Sequence, residues 1–388
     1  MSSKFHAITR RGLLSGLAGV AVASLVGGTA KSQDLHAANF SKLFGVGENE
    51  PLFANARRNN DGSFGLSVFD GAGQIVFTAP LPDRGHSISF DRNSGKLIAF
   101  ARRPGNFAVL MDGNGTQNTK VFTSPDDRHF YGHGVFSSDG KLLYAPENDW
   151  QSKRGVIGIY DLSGTSPKRL GEIESHGVGP HDVLVCQKTG ALVVANGGIY
   201  TRPDKAREKL NIDSMKPNVS WVDPKTGELL VRNELPTSLH QLSLRHMSQD
   251  GEGKVWIGGQ YQGPTSHNPP LVAAITRDGE PKLLEMPGTL QDGLQNYIGS
   301  VTANRDGSVV ATSCPRGGKV LFWKSEDLTL IGAQDIPDGC GVAPIDQQAF
   351  LISDGNGGVR YLEDAKDYAE VLAYHTGISW DNHLIPIG

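Results

Sequence analysis

The 388-residue chain holds three cysteines, Cys186, Cys314 and Cys340, and so allows at most one disulfide. In an oxidising compartment that odd count leaves one thiol free or on a metal. Excess positive charge is absent too. Lys and Arg number 37 against 41 Asp and Glu, a net charge of −4. No basic stripe is there to neutralise phosphates, so nucleic acid is not an expected partner. A mildly negative balance suits a soluble protein or a cation binder. Helical periodicity is scarce, and the segment "RPDKAREKLNIDSM" (202–215) is the best helix candidate. Missing as well are the G-x-S-x-G elbow, the phosphate-cradling P-loop, the C-x-x-C-H haem attachment and the H-E-x-x-H helix, which removes the usual signatures of catalysis.

What the chain does have is glycine, 49 residues of it, often after Asp as in Asp61-Gly62, Asp139-Gly140, Asp250-Gly251 and Asp306-Gly307. Such pairs mark tight turns between strands. Groups of four apolar strands recur at about 40–50 residues, the spacing of a repeat architecture. Six groups are complete, opening at "HSISFD", "HGVFSS", "HDVLVC", "HMSQD", "SVTAN" and "CGVAPI". Two fragments are left over. "PLFANAR", "GLSVFD" and "IVFTAP" supply three strands near the start, and "NHLIPI" supplies one at the end. Together they complete a seventh unit. The expected fold is therefore all-β, a seven-bladed β-propeller over residues 50–388, closed by pairing of the C-terminal strand with the N-terminal blade. A pair of β-sandwiches would not account for the matching fragments.

The first thirty residues read as an address label. "ITRRGLLSGLAGVAVASLVGGTA" places Arg10-Arg11 before a weakly hydrophobic run rich in Gly and Ala. It resembles a twin-arginine export signal. The run, about 16–18 residues, is interrupted by Gly and Ser, which argues against a permanent membrane span. Cleavage falls after Ala30 or near Ala37, and residues 31–49 read as a lead-in segment. The resemblance implies a periplasmic protein exported already folded, often with its cofactor loaded.

Five histidines share one phase of the repeat. His86, His133, His181, His246 and His383 each stand where the first strand of a unit begins. In a propeller those strands line the central channel, so the five rings should gather at one mouth. Ser300, or Gly299, and Cys340 fill the position in the other two units. Converging imidazoles, with the Cys340 thiol as a further candidate, suit a transition metal: copper or iron, with zinc also open. His86, His133 and His181 come from consecutive units and rank first, and Asp182 and Asp381 are placed to orient the rings. Any one of these histidines is better explained by a water-filled polar tunnel, and a base for hydrolysis is a third reading. The shared phase favours metal.

The same mouth should carry Arg57-Arg58, Arg102-Arg103, Glu147-Asn148, Asn196, Gln260-Tyr261, Arg316 and Asp354, with Arg84, Arg128 and Arg245 just before first strands. Such a rim could take an anion, a chelated metal or a carboxylate, or could simply be solvated. Cys314 and Cys340 fall at this mouth on adjacent units and could form a disulfide; Cys186 reads as core. Inserts at 198–217 and 261–270 follow second strands and should overhang the mouth, and His176 and His267 are weaker candidates there.

Arg10-Arg11, "FYGHGVFSSDGKLLYAPEND", "GPHDVLV" and the terminal "NHL" resemble an uncharacterised family of twin-arginine-exported propellers. That resemblance implies gene clusters shared with imelysin-type iron-uptake proteins, and hence iron handling with other periplasmic proteins as partners. A distant likeness to the nitrous oxide reductase propeller implies histidine-bound copper at a channel mouth, but that enzyme's second copper domain is missing here. The expected function is a periplasmic propeller that binds a transition metal or metal complex for metal acquisition. A metal-dependent hydrolase, an oxidoreductase or a metal-free interaction scaffold are the alternatives.

Overall fold

The computed structural model describes residues 46–47, 50–111, 119–205 and 208–387. The expected leader, residues 1–30, lies outside the described residues, as does the lead-in except for residues 46–47. Seven four-stranded antiparallel sheets are formed among the described residues, six of them from strands consecutive in the chain. The first strand of each opens a blade: Gly85–Asp91, Val135–Phe136, Pro180–Val185, Leu242–Gln249, Ser300–Ala303 and Gly339–Pro344 for blades one to six. Blade seven is the composite. Its first strand is the C-terminal Ile378–Pro386, which pairs antiparallel with Leu52–Asn59, followed outward by Phe64–Asp70 and Ile75–Leu81. Each first strand touches that of the next blade, and the strand of blade seven touches that of blade one, so the ring closes.

Local chemistry explains the strands and their ends. Second and third strands such as Leu192–Asn196, Asn218–Val222 and Phe350–Asp354 are apolar or small and buried on both faces. Fourth strands such as Lys120–Phe122 and Glu370–Tyr374 lie largely exposed at the outer edge. Between strands the Asp-Gly pairs act as anticipated. Asp61 Oδ1 accepts from Ser63 N at 2.9 Å, and Gly62 takes φ +84°, a left-handed conformation that favours glycine.

The hydrophobic core is divided into seven clusters, each clamped between two neighbouring sheets. Leu66, Ile88 and Val109 join blades seven and one, for example, and Phe53, Leu351 and Trp380 join six and seven. The closing strand therefore contributes both ladder hydrogen bonds and packing. Val46, from the lead-in, packs on the cluster between blades seven and one. Among the described residues no helix is long and apolar enough to cross a membrane.

The described residues of the 202–215 segment, 202–205 and 208–215, do not form the expected helix. They carry two 3-10 turns, Pro203–Lys205 and Ile212–Ser214. Asn211 ties the insert back to its own start: its Oδ1 accepts from Tyr200 N at 2.6 Å, and its Nδ2 donates to Gly198 O at 2.8 Å. Those bonds turn the chain where a helix would run straight. A short helix that periodicity did not signal, Gly288–Gly293, precedes blade five.

Candidate metal centre

Each histidine-bearing first strand departs from regular pairing at or beside its histidine. In blade one the register slips between Gly85 and Ile88, so His86 and Ser87 stand opposite Phe100. In blade three the slip falls between Pro180 and Asp182, at His181. In blade four it lies between Leu244 and His246. In blade seven Asn55 pairs with Leu384 and Arg57 with Trp380, which leaves Asp381, Asn382 and His383 bulged opposite Ala56. Blade two bends at Gly132, with φ +100°, just before His133. Bulges re-aim side chains that a regular pleat would send elsewhere. Blade five, which lacks a histidine, pairs Ser300 with Ser313 without a slip.

The result is a single imidazole cluster. All five rings are buried, between 2% and 8% exposed. Neighbouring centroids are 4.6–4.9 Å apart for His246–His383, His86–His383, His133–His383, His181–His246, His86–His133 and His133–His181. Two groups offer ligand atoms within 4.8 Å of one another and could hold a metal ion: His86, His133 and His383, and His133, His181 and His246. His246 and His383 lie within their strands rather than at their starts. Leu242–Leu244 and Ile378–Trp380 extend the strands outward by pairing with 259–261 and 57–59.

Hydrogen bonds divide the five rings by role. His86 Nδ1 meets Asp381 Oδ1 at 3.2 Å, and His133 Nδ1 meets Asp182 Oδ1 at 3.2 Å. Both aspartates expected to orient rings do so, each on the histidine of a neighbouring blade. Asp182 also accepts from Met247 N at 2.9 Å, so it ties three blades together. Asp381 is held by Arg84 Nη2 at 2.7 Å and Arg102 Nη1 at 3.1 Å. Burial works to raise its pKa, but the His86 bond and the two arginines hold it well below the usual carboxylate range. A carboxylate on Nδ1 takes the ring's proton there and leaves the Nε2 lone pair facing inward. His181 differs: its Nδ1 meets Arg245 Nη1 at 3.1 Å.

Four inward nitrogens have no hydrogen-bond partner: His133 Nε2, His181 Nε2, His246 Nδ1 and His383 Nε2. Each such buried orphan costs about 1–3 kcal/mol. For the last three, burial opposes protonation. Burial pushes the pKa of His86 down to about 3, and pushes His181, His246 and His383 well below the ordinary histidine range, with neighbouring cations adding to it. Neutral imidazoles with inward lone pairs are the donor set a borderline transition metal takes.

Cys340 does not join either group. Its Sγ lies 3.4 Å from Ser353 O and Asp381 O and 3.5 Å from Trp380 O, so the thiol is turned to backbone carbonyls. Burial raises its pKa above that of a free thiol, which opposes the thiolate a metal needs. The disulfide alternative fails as well, since all three cysteines are free; Cys314 Sγ donates to Leu294 O at 2.9 Å, and Cys186 is in the core. His176 Nε2 bonds Gly227 O, and exposed His267 lies 3.5 Å from the Tyr261 hydroxyl; neither enters the cluster. Arg128 is engaged by Glu172 and Asp149 in blade two. The 198–217 insert crosses to blade two, where Tyr200 donates to Trp150 O at 2.8 Å and Asn148 Nδ2 to Thr201 O at 2.8 Å.

Sequence reading missed the Arg245–His181 bond and the Arg84–Asp381–Arg102 clamp. It also missed Gly132, where a Cβ would sit 2.8 Å from His86 Cδ2. The pattern "YGHG" held that last signal, but only the approach of another blade gives it meaning.

The fold is shared with several solved structures at low identity. A chain of hydrazine synthase from Kuenenia stuttgartiensis aligns at TM-score 0.58 and 14% identity, over 80% of this chain and 95% of that one. The periplasmic gluconolactonase PpgL of Pseudomonas aeruginosa aligns at TM-score 0.61 and 13% identity, over 88% of this chain and 99% of that one. A chain of a mitotic checkpoint complex aligns at TM-score 0.54 and 10% identity, over 75% and 81%. At such identities the likeness shows fold alone. Among curated proteins no sequence matches. A family model described as a protein of unknown function, DUF1513, matches residues 79–387, and the chain belongs to that family.

Proposed function

We propose that this propeller binds a transition metal ion, free or as a complex, in its imidazole cluster and serves metal handling in the periplasm. The observation that carries the reading is the set of four buried imidazole nitrogens without a partner in one cluster. A bound cation would satisfy those that carry a lone pair; His181 Nε2 carries its ring's proton, because Nδ1 accepts from Arg245. His86, His133 and His383 form the leading set, because carboxylates on the far nitrogens of two of them leave the inward lone pairs free. His246 is close enough to supply a fourth ligand, 4.6 Å from His383 between centroids.

An all-nitrogen donor set suits copper, zinc or iron. The resemblance to exported propellers near imelysin-type genes makes iron the first metal to test, and copper the second. The metal-dependent hydrolase alternative draws on the fold shared with a periplasmic gluconolactonase. A hard cation for that chemistry would want oxygen ligands, and imidazole is a poorer match.

The test is elemental analysis of the chain purified from its native compartment, followed by titration with copper, iron and zinc. A stoichiometric transition metal, lost on His133→Ala, is the expected result. No metal as purified, and no uptake of any of the three, would leave the scaffold reading. Replacing Arg10 and Arg11 with Lys should abolish export, read by cell fractionation.

A further inference from the structure

The two histidine groups are chemically unequal, and the difference lies in Arg245. The register slip between Leu244 and His246 leaves Arg245 as the extra residue of a bulge. In a regular strand consecutive side chains face opposite sides of the sheet. Here His246 joins the cluster while Arg245, also buried, reaches His181 of blade three. A guanidinium can only donate, so His181 Nδ1 is the acceptor of the 3.1 Å contact. The single proton of neutral His181 is then on Nε2, which is buried and has no partner.

That proton removes His181 from the ligands. Its Nδ1 lone pair is taken and its Nε2 has none to give. His133, His181 and His246 therefore cannot act as three donors to a second ion, although their nitrogens lie within 4.8 Å of one another. His133 is the contrast: Asp182 meets its Nδ1, and its Nε2 lone pair is free. The His181 ring centroid lies 4.9 Å from that of His133, 4.8 Å from that of His246 and 5.8 Å from that of His86. So a lone N–H stands among rings that offer lone pairs to a cation, yet it bonds none of them.

Such a donor calls for an acceptor. A metal on His86, His133 and His383 has three nitrogen ligands and a position left for an exchangeable one. The guanidinium behind the His181 ring polarises it and strengthens the outward N–H. That favours an anion at the open position over a neutral ligand. Resting on the metal reading above, we infer that His181 is a positioning residue: its Nε2–H holds a small monodentate anion that completes the coordination of a single metal ion. Hydroxide, halide and azide belong to the class. Arg245 fixes the tautomer that makes this possible.

Azide on Cu(II)-loaded protein is the probe, read by its charge-transfer band, with copper affinity read by chelator competition. The wild type should hold one copper tightly and bind azide. His181→Leu should keep that copper within about threefold and weaken azide about tenfold, the loss expected of a charge-assisted hydrogen bond. His86→Leu should lose copper. Arg245→Lys keeps a donor for Nδ1 and should bind azide as the wild type does. Arg245→Met releases Nδ1, so His181 can turn a lone pair to the metal; copper should tighten, and azide should weaken about tenfold. In the metal-free chain, nitrogen NMR should show His181 protonated at Nε2, the signal being assigned by its loss in His181→Leu. The role of His181 is overturned if copper-loaded wild type refuses azide, or if Nε2 carries a lone pair. It is overturned equally if His181→Leu binds azide as the wild type does or loses copper as severely as His86→Leu, or if Arg245→Met and Arg245→Lys bind azide alike. No uptake of copper, iron or zinc would sink the metal reading and this role with it, whereas copper held and azide refused sinks the role alone.

Discussion

His86 and Asp381 are 295 residues apart in the chain, and their side chains meet at 3.2 Å, Nδ1 to Oδ1. The contact crosses the seam where the first complete blade meets the composite one. Ring closure thus builds a part of the site, since Asp381 and His383 both belong to the closing strand. Arg84 and Arg102 keep the carboxylate ionised, and the carboxylate fixes which nitrogen of His86 faces inward.

Asp381→Asn should weaken metal binding by about 10–100-fold, as removal of a ligand-orienting carboxylate generally does. The amide cannot balance Arg84 and Arg102, nor impose the His86 tautomer as a carboxylate does. A chelator-competition titration measures it. Wild-type affinity in the variant would show that His86 is not a ligand.

Metal-free protein should lose stability as pH falls below about 6.5, the ordinary histidine value. His86 is pushed down to about 3 in the fold, and burial likewise lowers His181, His246 and His383. Between those values the unfolded chain binds protons that the folded one refuses, so acid favours unfolding and stability rises with pH. Denaturant melts at pH 7.5 and 5.0 check the sign. His383→Gln should flatten the dependence.

Gly132→Ala should be destabilising and should impair the site. Its φ is +100°, and a Cβ would meet His86 Cδ2 at 2.8 Å and Ala101 O at 3.1 Å. Left-handed strain alone costs about 1–3 kcal/mol, and the clash displaces a ring of the leading set. Gly190→Ala is the control, because its φ is +72° and nothing lies within 4 Å. Only the Gly132 variant should lose metal affinity beyond its loss of stability, as read by parallel melts and titrations.

Cys340→Ser should leave metal stoichiometry unchanged, because the thiol faces carbonyls and is outside both histidine groups. Thiol titration of the unfolded chain, without reductant, should count three free cysteines. Loss of metal in Cys340→Ser would return the thiol to the ligand set.

The fold was legible because the repeat is written in apolar runs and Asp-Gly turns, and because the two orphan fragments fit one blade. The shared phase of His86, His133, His181, His246 and His383 was legible for the same reason. The 202–215 segment was misread because its helical period competes with Asn211, whose bonds to Tyr200 and Gly198 are invisible to periodicity. Strand phase gave Cys340 a position but not the direction of its side chain, which faces the carbonyls of Ser353, Trp380 and Asp381.

By itself the amino-acid order determined seven sheets in a ring and which residues come near its axis, since both follow from local pattern repeated along the chain. Only the tertiary structure decided how those residues face one another. Register slips at His86, His181, Arg245 and His383 rotate side chains away from the two-residue alternation. The partners that choose each ring's inward nitrogen, Asp381, Asp182 and Arg245, come from neighbouring blades, and no local pattern encodes that pairing.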